Sequence, residues 1–145
     1  MKKILLYFCL LLLYSTNIFA QGTTITLGLP AADGNAVDIP LTVTNFNNIG
    51  AISLKISYDT TALKFVGIAN SSSNIVFIKN ASGGAVLLGW FDATVTTPLN
   101  ITNGKLVDLL FTGNGNTGSL NFVASACEIS DETGKALSVT YINGK

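Results

Sequence analysis

The sequence contains no histidine and no arginine, and charged residues make up only 11% of its 145 positions. Without histidine, imidazole-based triads and histidine-rich metal sites have no members. Without arginine there is no bidentate fork for phosphate, and eight lysines against eight acids leave no basic excess. Nucleic acid and anionic membrane surfaces are therefore poor partners. Cysteine is nearly absent as well. Cys9 lies in an N-terminal apolar run, which leaves Cys127 alone, so no disulfide can form in the rest of the chain. A lone thiol without an imidazole beside it is a weak nucleophile, and Cys127 is expected to serve as a small buried apolar side chain. The fold must be held by its core.

Beyond the first twenty residues there is no long apolar run. Within them, Lys2 and Lys3 precede an apolar stretch over residues 4–14, and the chain then turns more polar up to Ala20. The stretch is shorter than the roughly 20 residues that span a bilayer. It predicts a signal peptide over residues 1–20, cleaved after Ala20, and a single secreted domain over residues 21–145. The Leu6-Tyr7-Phe8 segment before Cys9 lacks the small residues of a lipoprotein signal. Removal of the two lysines leaves six against eight acids.

What remains is rich in Thr, Val, Ile, Asn and Gly, a composition of strands and turns. No amphipathic helix stands out. Alternation predicts strands over residues 23–29, 37–46, 51–58, 63–66, 75–80, 85–91, 105–112, 119–126 and 137–142. The clearest is 51–58, with Ile52, Leu54, Ile56 and Tyr58 on one side and Ala51, Ser53, Lys55 and Ser57 on the other. Residues 31–35 and 113–118 read as glycine turns, 45–50 as a polar connection and 92–102 as a loop. Pro40 argues that its strand starts at a sheet edge. Leu106 and Leu110 form the apolar set of strand 105–112. Strand 85–91 is apolar on both faces: Val86, Leu88 and Trp90 against Leu87, Gly89 and Phe91. Such a strand is covered twice or lends one face to a partner. About nine short strands in one domain predict an all-β, two-sheet antiparallel sandwich with jelly-roll topology.

Catalytic chemistry has few members. Asp38, Asp59, Asp92, Asp108 and Asp131 sit mostly at turns or strand ends, where aspartate accepts backbone hydrogen bonds. Residues 131–135 lack the spaced oxygen ligands of a calcium loop, and the 113–118 turn has no lysine for a phosphate cradle. The expectation is no enzyme, no cofactor and no metal.

Several segments, taken in order, resemble the cohesin domain, the receptor module of cellulosome scaffolds. They are residues 37–45, then 50–59 ending in Ser57-Tyr58-Asp59, then Leu63-Lys64-Phe65. Gly89-Trp90-Phe91-Asp92 follows, and then Gly104-Lys105-Leu106-Val107 with Leu110-Phe111. The resemblance spans nearly the whole chain after the signal and implies a nine-strand jelly roll without a catalytic site. It implies a partner too: a dockerin, a small calcium-dependent helical module of secreted enzymes that carries the calcium itself. The family's polar recognition pair on the third strand falls on Ala51 and Ser53, the first of which is not polar. Its acidic contact near the end of the sixth strand falls at Asp92, and its apolar contact near Gly89, beside Leu87 and Phe91. Family members continue into one more short strand, whereas this sequence stops at Asn143-Gly144-Lys145; a clipped strand or a piece of a longer scaffold is implied.

The expected partner face is therefore Ala51, Ser53, Lys55, Ser57, Leu87, Gly89, Phe91 and Asp92. The expected function is a secreted, non-catalytic module that binds a dockerin in polysaccharide-degrading assemblies. Two rivals remain. A carbohydrate-binding module would use Trp90, Tyr58 and Phe91 as a stacking strip, although alternation puts Trp90 and Tyr58 inside. A structural piece of a surface assembly would need no soluble ligand.

Overall fold

The computed structural model describes residues 22–72, 75–114 and 118–144. The predicted signal peptide lies outside the described residues, as does the middle of the 113–118 turn. Ten strands follow in order: β1 (Thr23–Leu27), β2 (Ala31–Asp33), β3 (Ala36–Tyr58), β4 (Leu63–Ala69), β5 (Ile78–Ser82), β6 (Ala85–Phe91), β7 (Leu99–Gly113), β8 (Leu120–Phe122), β9 (Glu128–Asp131) and β10 (Val139–Ile142). A single 3-10 turn at Ala124–Ala126 separates β8 from β9.

The architecture turns on β3, which runs 23 residues and belongs to both sheets. Its first half pairs with β1 on one side and β7 on the other; β10 joins β1 in parallel and β4 joins β7. This is sheet I, in the order β10-β1-β3-β7-β4. Its second half pairs with β6 on one side and with β8 and β9 on the other, while β5 joins β6. This is sheet II. Between them lies one core: Ile25, Ile39, Leu41 and Val43 from sheet I meet Ile52, Leu54, Ile56, Val86 and Leu88 from sheet II. The expected sandwich is present.

The polar connection expected at 45–50 is instead the corner of β3. Asn45 and Asn48 take left-handed backbones with φ of 54° and 53°, a conformation asparagine tolerates. The register against β7 shifts between Phe46 and Ile49, and both of those side chains are fully buried. Strands that switch sheets turn in this way, through a bend that keeps the apolar side chains inside. The two expected strands are one because pairing continues through the bend.

Other differences are equally local. Residues 31–35 form the β2–β3 hairpin around Gly34, whose φ is 60°. Pro40 lies within central β3, opposite Asp108, and not at an edge. Its carbonyl accepts the Gly28 N–H at 2.8 Å, so its proton-less nitrogen faces the side where β1 has already ended at Leu27. Leu29, expected to share the face of Ile25 and Leu27, lies beyond β1 and is exposed. In β7 the register slips at Leu41/Thr42, so that Leu106 and Val107 are both buried. The extra residue flips the alternation: Leu109 and Phe111 point inward, and Leu110 leaves the core. The strand expected over 119–126 ends at Phe122, and β9 was not expected at all. Strand pairing begins at Ile78 and not at 75, although Ile75 and Phe77 anchor the approach in the core. The loop expected to reach 102 stops before Leu99, and the last strand begins at Val139.

Candidate binding face

The eight face residues come together on the outside of sheet II. The β3–β6 register places Ala51 opposite Phe91, Ser53 opposite Gly89 and Lys55 opposite Leu87, with Ser57 opposite Ala85. Their neighbours Ile52, Leu54 and Ile56 are buried, so period two sends the named residues outward. Asp92 follows at the rim, and its backbone N–H donates to the Gly50 carbonyl at 2.8 Å.

Two strands missed or misplaced in the sequence complete the face. On β5, Ile78 lies opposite Gly89 and is 69% exposed. Val76, two residues earlier, is 81% exposed and alternates with buried Ile75 and Phe77. The unbroken apolar run 75–78 was the available signal, since such a run has an outer face as well as an inner one. On the other side, Glu128 of β9 lies opposite Ser53. With Leu87 at 44% and Phe91 at 60% exposure, an apolar row crosses β5 and β6, bordered by serine, lysine and carboxylates. The outer face of sheet I differs: Thr24 faces Thr44, Thr26 faces Thr42, and Lys105 and Asn103 continue the row. Sheet I exposes Val66 on β4 and Ile142 on β10, at its opposite edges, so the contiguous apolar row belongs to sheet II.

The stacking strip does not form. Tyr58 packs edge-on against Phe111, with ring centroids 5.2 Å apart, and Trp90 packs against the core. Among the described residues Phe91 is the one aromatic side chain that is largely exposed. A half-open groove of about 540 Å³ runs past the end of β6, lined by Trp90, Asp92, Pro98 and Asn100 among others. Its polar groups are engaged: Asn100 accepts the Asn48 N–H and donates to the Pro98 carbonyl.

The aspartates close turns. Asp59, Asp92 and Asp131 each accept the backbone N–H and the hydroxyl of the threonine two residues on, at 2.6–3.0 Å. Asp92 also accepts the Thr97 N–H at 2.7 Å. The Thr94 hydroxyl and then the Thr97 N–H hold its pKa at about 2, below the ordinary 3.8. Because the folded value is the lower one, these bonds contribute fully above about pH 4 and are lost as pH falls toward 2. We expect the Thr94 and Thr97 amides to be protected from exchange at pH 5 and to lose that protection toward pH 2; protection unchanged at pH 2 would contradict the assignment. Asp92 thus shapes the rim with both oxygens turned toward its own loop.

Cys127 is half-buried, not fully so, and sits behind the face. Its Sγ accepts the Lys55 N–H at 3.3 Å and lies 3.5 Å from the Lys55 carbonyl, filling the gap between β8 and β9. Burial pushes its pKa above the usual thiol range. Its reaction with a soluble disulfide reagent at pH 7.5 should be far slower in the native protein than in urea; equal rates would show an accessible thiol. Among the described residues no group of three or more Cys, Asp or Glu is placed to hold a metal, and no helix is long and apolar enough to cross a membrane.

Comparison with known proteins agrees with this fold. A family profile described as the cohesin domain matches residues 23–145. Among solved structures, the solution structure of CaCohA2 from Clostridium acetobutylicum superposes with a TM-score of 0.72 at 22% identity, covering 85% of this chain and 88% of that one. A non-cellulosomal cohesin from the hyperthermophilic archaeon Archaeoglobus fulgidus gives 0.68 at 25% identity, covering 85% and 88%. The sixth cohesin of scaffoldin B from Acetivibrio cellulolyticus, solved with a mutant Cel5 dockerin, gives 0.70 at 20% identity, covering 85% and 94%. No curated protein matches the chain. The profile covers nearly all the described residues, the sandwich superposes on cohesins, and the chain belongs to the cohesin domain family of non-catalytic binding modules.

Proposed function

We propose that the chain is an exported receptor that binds a dockerin-bearing protein through the outer face of sheet II. The observation that carries this reading is the apolar group Val76, Ile78, Leu87 and Phe91, exposed together at β5 and β6, whereas the exposed apolar residues of sheet I, Val66 and Ile142, stand apart on its two edge strands. Interfaces gain affinity from an apolar centre with an aromatic anchor and gain register from a polar rim. Phe91 is the anchor; Ser53, Lys55, Ser57 and Asp92 are the rim. A cohesin of similar fold has been solved with a dockerin, which supports the partner class. The basic start and apolar run of residues 1–20 support export. Calcium is brought by the partner.

Calorimetry with purified dockerin domains encoded in the same genome tests the proposal. Phe91→Ala should weaken binding by about 2 kcal/mol, roughly thirtyfold. Lys55→Glu should weaken it further, through the rim. A calcium chelator should abolish binding while leaving the melting curve of this chain alone unchanged. Wild-type affinity in both variants would move the interface elsewhere, and wild-type protein that binds no dockerin would remove the partner class.

A further inference from the structure

The polar border of the face leans on one short segment. Ser53, Lys55 and Ser57 of β3 each find a partner on the side away from β6 in residues 121–128. The Ser57 hydroxyl donates to the Asn121 carbonyl at 3.2 Å. The Lys55 carbonyl accepts the Val123 N–H at 2.9 Å, and the Lys55 N–H donates to the Cys127 Sγ. Ser53 lies opposite Glu128. Yet β8 has only three residues and, among the described strands, pairs with β3 alone. So short a strand, paired on one side, has little of its own to hold it in place.

Its other side is closed from sheet I. There β10 runs parallel to β1 at the sheet edge, and the residue after it reaches across to sheet II: the Asn143 side-chain oxygen accepts the Phe122 N–H at 2.8 Å. Two residues earlier, the Tyr141 ring packs against the Phe122 ring with centroids 5.2 Å apart. Burial first, then the Cys127 thiol and the Glu128 carboxylate, push the Tyr141 phenol up to about 12. The same side chain therefore also lies by the far end of the segment. We propose that Asn143 is a positioning residue for partner binding: through the Phe122 N–H it fixes β8, and through β8 it fixes Ser57 and Lys55 at the border of the face. This inference rests on the dockerin reading.

Asn143→Ala removes the acceptor, whereas Asn143→Asp keeps an oxygen for the same N–H. In Asn143→Ala the Phe122 amide should exchange about tenfold faster, and the dockerin domain should bind about fivefold more weakly. Asn143→Asp should return both to within about twofold of wild type. Such coupling is reciprocal, so saturating the wild-type protein with dockerin should slow Phe122 exchange by about the same fivefold and leave the amides of β4 unchanged. Faster exchange with wild-type affinity in Asn143→Ala, while Phe91→Ala binds weakly in the same titrations, overturns the role of Asn143 and leaves the face standing. Restored exchange without restored affinity in Asn143→Asp overturns it too. Should Asn143→Ala fail to fold, the wild-type experiment decides: Phe122 exchange that dockerin does not change, or slows equally on β4, removes the coupling. Wild-type protein that binds no dockerin removes the dockerin reading, and this inference with it.

Discussion

Phe46→Ala should destabilise the protein by about 3–5 kcal/mol, the range for emptying a fully buried aromatic site. Phe46 has no exposed surface and lies at the corner where β3 passes from sheet I to sheet II, opposite Ile101 of β7. The cavity would open where both sheets share one strand, so neither can close over it without moving the other. Domains of this size hold about 5–15 kcal/mol in total, and no disulfide among the described residues supplements the core. In urea the unfolding midpoint should fall by about 2 M with little change of slope. A loss below about 1 kcal/mol would mean that the corner repacks, and that β3 does not tie the sheets together as described.

Gly50→Ala should cost about 1–3 kcal/mol through overpacking, although it adds a single methyl group. A Cβ at Gly50 would lie 2.5 Å from the Asp131 carbonyl oxygen and 2.8 Å from the Glu132 Cα. Both are backbone atoms, so no rotamer change relieves the clash. The hairpin after β9 would have to lift, straining the bond from the Glu132 N–H to the Asn48 carbonyl at 2.9 Å. Gly67→Ala is the control: nothing lies within 4 Å of its Cβ position, and the change should stay within about 0.5 kcal/mol. Equal effects from the two substitutions would show that the close approach at Gly50 is not a constraint. The binding face should suffer as well, because the Gly50 carbonyl accepts the Asp92 N–H at the rim of that face.

Much of this was legible in the chain. The alternation over 51–58 assigned Ile52, Leu54 and Ile56 to the core and Ser53 and Lys55 to the outside, as the structure has it. The two-sided apolar segment 85–91 marked Leu87 and Phe91 as exposed candidates. Other features were not legible, for a common reason. Asn45 and Asn48 look like turn residues, yet β3 continues through them because both flanks find partners distant in sequence. Leu110 looks like core until the slip at Leu41/Thr42 reverses the sides. Strand β9 is short, and its pairing with β3 places Glu128 beside Ser53, which no local pattern announces.

The sequence by itself determined the strand class, the inward and outward sets within most strands, and the absence of histidine and arginine chemistry. Each of these depends only on residue type and on the two-residue period of an extended chain. Tertiary structure decided where β3 bends, which bulges reverse a face, and which loops meet at the end of sheet II. Those outcomes depend on register between strands far apart in the chain, where the closest packing of one shared core selects among arrangements that are locally equivalent.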